Sequence, residues 1–196
     1  VTTGPALNAL YPHMRRGGEQ LRASAQSLRH SVESKARDHT EVFGKFFAEQ
    51  ADELVAAATT LAASYRQGGR LLAMGNGGSS CDAAHVAVEF LHPVTAGRPA
   101  LGAINLAADV AMLTAVGNDV GQDHVFVRPL IAHGRHGDCL IGFSTSGNSA
   151  NLIRAFAKAR EMGIATIGLA GGDGGEMARA GLDHLLEHLL ESVGHL

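Results

Sequence analysis

The chain is poor in three things, and each shortage removes a class of protein. Only two cysteines, Cys81 and Cys139, occur in 196 residues. They make neither a disulfide framework nor a CxxC metal site, and both adjoin strand-like segments, where small buried hydrophobes are expected. Basic residues are sparse: 16 Lys and Arg stand against 19 Asp and Glu, a net charge of −3 with His neutral. The densest basic run is the pair Arg15-Arg16, whereas a nucleic-acid groove needs a concentrated positive surface to displace counterions. Nucleic acid is therefore excluded as a direct partner. No uninterrupted apolar run approaches the roughly 20 residues that span a bilayer, and VTTGPALNALYPHMRRGG at the N-terminus lacks the basic-then-apolar layout of a signal. The expectation is a soluble protein of the reducing cytoplasm, without a membrane partner.

What is present suits one globular domain. Hydrophobic residues make up 45% of the chain, ample for a core with two sides. Residues 18–36 read as a modest amphipathic helix. A second follows Asp38, where Val42, Phe43, Phe46, Phe47, Ala51, Leu54, Val55, Leu61 and Ala62 recur at helical spacing until Gly68-Gly69 stops them. Two such helices, with little in the chain to cover their apolar faces, suggest packing on another subunit. From Arg70 the period changes. Leu71–Met74, Ala103–Leu106, Cys139–Phe143 and Ala165–Leu169 read as buried parallel strands. They alternate with helical stretches at Cys81–Leu91, Asp109–Val116, Asn151–Glu161 and Glu176–Ala180. The expectation is a doubly wound parallel sheet in three αβα layers, with a helical extension over residues 1–40 and the α/β domain over 41–196.

Two segments echo each other. Leu71 to Ser80 and Leu140 to Ser149 both run from a strand through a Gly/Ser loop into a helix, and ligands of such folds sit outside the carboxyl ends of the strands. Both loops should face one crevice. In the second, Ser144-Thr145-Ser146-Gly147-Asn148-Ser149 sets hydroxyls and a flexible backbone at a helix N-terminus. Such an arrangement suits a phosphate monoester, whose charge is favoured by exposed N–H groups and the positive end of the dipole. An N-cap with extra serines is the plainer alternative. A Walker loop is excluded, since its Lys is missing. The first loop, Gly75-Asn76-Gly77-Gly78-Ser79, is either a close backbone approach to a ligand or a tight turn; Ser80 breaks the dinucleotide fingerprint.

On the helix after the first loop, Asp82, His85 and Glu89 share one face. His85 and Glu89, at i and i+4, can bind one Zn²⁺, or Glu89 can serve as a general base; a surface His–Glu pair is the alternative. Gly117-Asn118-Asp119 reads as a helix end followed by turn residues. His124 and the other loop histidines lack ligand spacing.

Together these residues resemble the sugar isomerase (SIS) domain family and, within it, the bacterial phosphoheptose isomerases. The likeness spans about Glu41 to Leu186. It also takes in Arg98-Pro99, Leu113 to Asp119, Gly137-Asp138 and Gly172-Asp173-Gly174-Gly175. It implies that Ser144, Thr145, Ser146 and Ser149 hold a substrate phosphate, with Asn76, Gly77 and Ser79 contributing from the first loop. It further implies that His85 and Glu89 bind zinc, that Glu89 is the base and that Asp119 reaches the sugar. The implied reaction converts sedoheptulose 7-phosphate to D-glycero-D-manno-heptose 7-phosphate through an enediol, in a homotetramer. Such chemistry needs a base for the proton on carbon 2 and an acid or metal near O1.

The chain departs from the family pattern twice. The family closes its site with a segment near R-I-Q-E-x-H; here Leu182–Leu186 runs directly into Glu187-His188-Leu189-Leu190. His188 is the candidate for the missing acid and zinc ligand. Pro93 stands where a substrate-contacting Arg is frequent. The alternative function is a non-catalytic relative that binds a sugar phosphate as effector, or a partner protein such as the replication initiator. Those that bind the initiator lack the Glu at the position of Glu89.

Overall fold

A computed structural model describes residues 25–94 and 97–187, and the chain divides into two compact units, Val1–Thr40 and Glu41–Leu196. The described part of the first is helical and exposed, with an Arg29–Glu33 ion pair at 3.6 Å one turn apart. It belongs to helix α1, Ala25–Arg66. The expected break near Asp38 does not occur. No proline interrupts Ala25–Arg66, and a lone interior Gly such as Gly44 costs a helix only about 1 kcal/mol.

The second unit is built on five strands: β1 (Leu71–Gly75), β2 (Ala103–Asn105), β3 (Cys139–Ser144), β4 (Ala165–Ala170) and β5 (His184–Leu186). All neighbouring pairs are parallel, in the order β2-β1-β3-β4-β5. Between them lie α2 (Gly78–Leu91), α3 (Val110–Asp119), α4 (Val127–His133) and α5 (Ala150–Glu161), with short 3-10 turns at Gln122–His124 and Gly175–Arg179. The four expected strands are present. β5 and α4 are additions, and the helix expected over Glu176–Ala180 is a single 3-10 turn. Helix α3 runs on through Gly117, expected to end it, to Asp119; Gly117 does not take the positive φ of a terminating glycine, and a lone Gly costs a helix only about 1 kcal/mol.

Strand residues alternate between two apolar layers, as a sheet covered on both faces requires. Leu72, Met74 and Leu140 pack with Phe126 and Leu130 of the α4 region and with Leu152 and Phe156 of α5. Leu71, Ala73, Cys139, Phe143 and Ile167 face the other way, onto Phe46 and Ala57 of α1 and Ala83 and Ala87 of α2. This is the expected three-layer αβα arrangement. Helix α1 buries only one stripe; Phe43 and Phe47 remain half exposed and Val55 more so, and the two phenyl rings stack at 6.2 Å.

The cysteines part company. Cys81 is exposed on α2, against expectation, because it falls on that helix's outer face. Cys139 is fully buried, and burial, with smaller contributions from Asp183 and Asp138, pushes its thiol up to about 12. The neutral thiol is thus favoured in the folded state. Its contribution to stability is full below the ordinary thiol pKa and is lost as pH rises from there through about 12. Cys139 should resist a thiol reagent in the native protein and react once denaturant is added. Two titratable thiols in the native chain would contradict this.

Candidate functional site

Strand order sets where a ligand can lie. Connections leave β1 and β3 in opposite directions along the sheet, and the crevice between the carboxyl ends of such strands is the usual ligand position in this topology. Gly75 pairs with Phe143, so the two loops start level with one another. The first loop turns sharply because Gly75 has no side chain; a Cβ there would strike the carbonyl oxygen of Ser79. That lets α2 begin at Gly78, directly off the strand. Gly77 caps it with a positive φ of 54° and no side-chain bond.

The second loop leaves α5 similarly open. Its N-cap, Ser149, makes no capping bond to the helix and instead meets Ser144 Oγ at 3.0 Å. Helix α3, by contrast, is closed by Asp109, whose carboxylate accepts from Met112 N at 2.9 Å. Neither N-cap, Gly77 nor Ser149, thus places a side-chain bond on its helix, and in the first turn of α5 only Leu152 N–H takes one, from Asn151 Oδ1 at 3.0 Å; helix starts of this kind suit an anion. Thr145 and Ser146 are exposed. Ser146 Oγ accepts from Asn148 N at 3.2 Å, which leaves its own proton for an acceptor outside.

Behind the loop stands a brace that the sequence reading did not identify. Asn148 donates to Ser146 O at 2.8 Å, and its Oδ1 accepts from Glu176 N at 2.9 Å. Met177 N donates to Gly147 O at 2.9 Å. Gly147, at φ 63°, packs against the Gly174 backbone so closely that a Cβ would collide with its carbonyl. The Gly172–Gly175 segment, noted above only for its resemblance, thus seats the hydroxyl loop. Across the crevice, Asn76 and Asn151 exchange two hydrogen bonds of 2.9 Å each.

The remaining candidates lie apart. His85 Nε2 and Glu89 Oε1 are 3.4 Å apart on α2, with side chains 74% and 41% exposed. From Gly78 to Glu89 is roughly 16 Å along the axis, at about 1.5 Å per residue, so Glu89 stands well down α2 from the loop that begins it. Two tetrahedral zinc ligands at bond lengths near 2 Å lie about 3.3 Å apart, so the pair fits two corners of such a site. A catalytic zinc takes three protein ligands, and no group of three candidate donors converges among the described residues. His188 lies outside the described residues. Ser79 is buried in the first turn of α2. Asp119 ends α3, exposed, and accepts from Asn118 Nδ2 at 2.7 Å; among the described residues it bonds to neither loop. A cavity of about 600 Å³ lies elsewhere, beside β2, between Met112 and Val116 of α3 and Pro129 and Ile131 of α4. No helix of the described residues is long and apolar enough to cross a membrane.

Comparison with known proteins agrees with this geometry. The family model of the SIS domain matches residues 36–171, which include both loops. The phosphoheptose isomerase of Nitratidesulfovibrio vulgaris is 41% identical over 180 residues, covering 87% of this chain and 86% of that protein. Among solved structures, phosphoheptose isomerase GmhA from Neisseria gonorrhoeae matches with a TM-score of 0.77 at 39% identity, over 82% of this chain and 85% of that one. A phosphoheptose isomerase from Francisella tularensis matches with a TM-score of 0.77 at 30% identity, over 81% and 83%.

Proposed function

This chain belongs to the SIS domain family, on the branch of the phosphoheptose isomerases, and we propose that it interconverts sedoheptulose 7-phosphate and D-glycero-D-manno-heptose 7-phosphate in the cytoplasm. The observation that carries this reading is the pair of uncapped helix starts at the β1/β3 crevice, with the outward hydroxyls of Thr145 and Ser146 at the second. No Lys or Arg occurs in either loop. The phosphate is held by N–H groups, hydroxyls and the helix dipole.

Glu89 is the base. Its carboxylate takes a proton from C1 of the ketose and returns it to C2, while the O1 proton passes to O2 and the carbonyl moves from C2 to C1. His85 and Glu89 would hold zinc, with His188 as the candidate further ligand, and the ion would supply Lewis-acid polarisation of the sugar oxygens. Because Glu89 stands far along α2 from its own loops, the phosphate held by one copy meets the Glu89 of another. The homotetramer brings them together, through surfaces that include exposed Phe43, Phe47 and Val55 of α1 and Val88 and Leu91 beside Glu89.

The test is turnover of sedoheptulose 7-phosphate by the full chain with zinc and then with a chelator. Turnover that the chelator stops is the expected result. Sugar phosphate bound but not converted would make the protein a non-catalytic binder, and turnover indifferent to chelation would remove the metal from the reaction.

A further inference from the structure

We propose that Asn76 and Asn151 form a positioning pair that sets the gap between the two ligand loops, a role that rests on the sugar-phosphate reading above. Asn76 follows the last residue of β1, and Asn151 is the second residue of α5, just behind the hydroxyl loop. Their side-chain amides are 75 positions apart in the chain. Each donates to the other, Nδ2 to Oδ1, at 2.9 Å in both directions. Among the described residues no other side-chain hydrogen bond joins the two loops.

Such a ring of two amides is a poor device for stability. Both bonds are exposed, and in water an ordinary hydrogen bond nets only about 1 kcal/mol. What the ring does fix is a distance and an angle, since two planar amides sharing two bonds cannot slide or twist freely. Asn151 Oδ1 also takes the N–H of Leu152 at 3.0 Å, which ties the Asn151 amide to the first turn of α5. Below the pair, the loops are tied only through the backbone pairing of β1 and β3, which ends with Gly75 and Phe143. Both helices pack on the sheet below, but beyond that last rung the asparagine ring is the one side-chain hydrogen-bonded link between the two loops among the described residues. A ligand spanning both loops gains from that spacing being set in advance; a ligand seated on the hydroxyl loop alone does not.

This difference between ligands gives the test. Affinities for sedoheptulose 7-phosphate and for inorganic phosphate are measured by calorimetry on the full chain, in a Glu89→Gln background that does not convert the sugar. Asn151→Ala removes the ring, and Asn151→Gln keeps the amide but lengthens its reach. Both should weaken sugar-phosphate binding about tenfold while inorganic phosphate changes less than twofold. Equal losses for both ligands would make Asn151 a part of the phosphate cradle and overturn the inference. So would unchanged sugar-phosphate affinity. Failure of the isomerase reading shows separately, as absent turnover in the unsubstituted protein, and leaves this binding ratio to be read.

Discussion

Glu89→Gln is expected to lower kcat by at least about a thousandfold while leaving the affinity for inorganic phosphate within twofold. The magnitude follows from the part a positioned base plays, typically 10²–10⁴ in rate, with the upper range expected where one carboxylate both removes and returns the proton. Gln keeps the size and the hydrogen-bonding oxygen but cannot accept the proton. Phosphate affinity is spared because the proposed base acts at C1 and C2, at the other end of the sugar from its 7-phosphate, and contributes nothing to the N–H and hydroxyl groups that hold the phosphate. Rates and calorimetry on the same preparation read both quantities. Near-normal turnover would move the base elsewhere, whereas a parallel loss of phosphate binding would mean that the helix itself had been disturbed.

The second large effect is expected from Gly147→Ala, which should weaken phosphate binding more than tenfold and lower stability by about 1–3 kcal/mol. Two separable causes meet at this position. A residue with a Cβ is strained at φ 63°, and that Cβ would also collide with the Gly174 carbonyl. Gly172→Ala isolates the first cause, because Gly172 has φ 53° with open space around it. It should show the strain alone, with phosphate binding retained. If the two variants behave alike, the seat provided by Gly174 is irrelevant and the serine loop keeps its shape unaided. The pair of substitutions at Glu89 and Gly147 also tests the shared site. If the proposed shared site holds, mixed oligomers of the two impaired variants should recover part of the activity, because some sites would then combine an intact loop from one copy with an intact Glu89 from another. No recovery would place both groups in one chain's own site.

Much of this architecture could be read from local signals. The three longer strands, β1, β3 and β4, are dense apolar runs, and the alternation with helices leaves few topologies open. The hydroxyls of the second loop and its place at the end of a strand were likewise plain from composition, whereas its use for a phosphate rests on the proposal above. What escaped was whatever depends on a distant partner. β5 is three residues long and begins with a histidine. It becomes a strand by pairing with β4, and His184 is held there by Glu53 at Nδ1 (2.8 Å) and Thr60 at Nε2 (2.7 Å), both on α1. Helix α4 hides behind Pro129, which its first turn tolerates because the N–H there needs no helical acceptor. Asn148 and Asn151 look like ordinary helix-start residues; nothing local says that one braces the loop against Glu176 and the other reaches across to Asn76. Cys81 was misjudged because nearness to a strand does not tell which side of the next helix a residue will occupy.

The pairing of β1 with β3 across the whole of the intervening α/β excursion bears on how the protein folds. The crevice joins segments that the chain separates by 75 positions at the asparagine ring, so no early, local event during folding can assemble it. Contacts of such long sequence separation form slowly, since loop closure must precede any gain from them. A half-folded chain therefore lacks the two-loop crevice, and a sugar phosphate spanning both loops, as proposed, would stabilise only the finished sheet. Cellular sugar phosphate would then act as a ligand of the completed fold, lowering the population of open chains exposed to proteolysis.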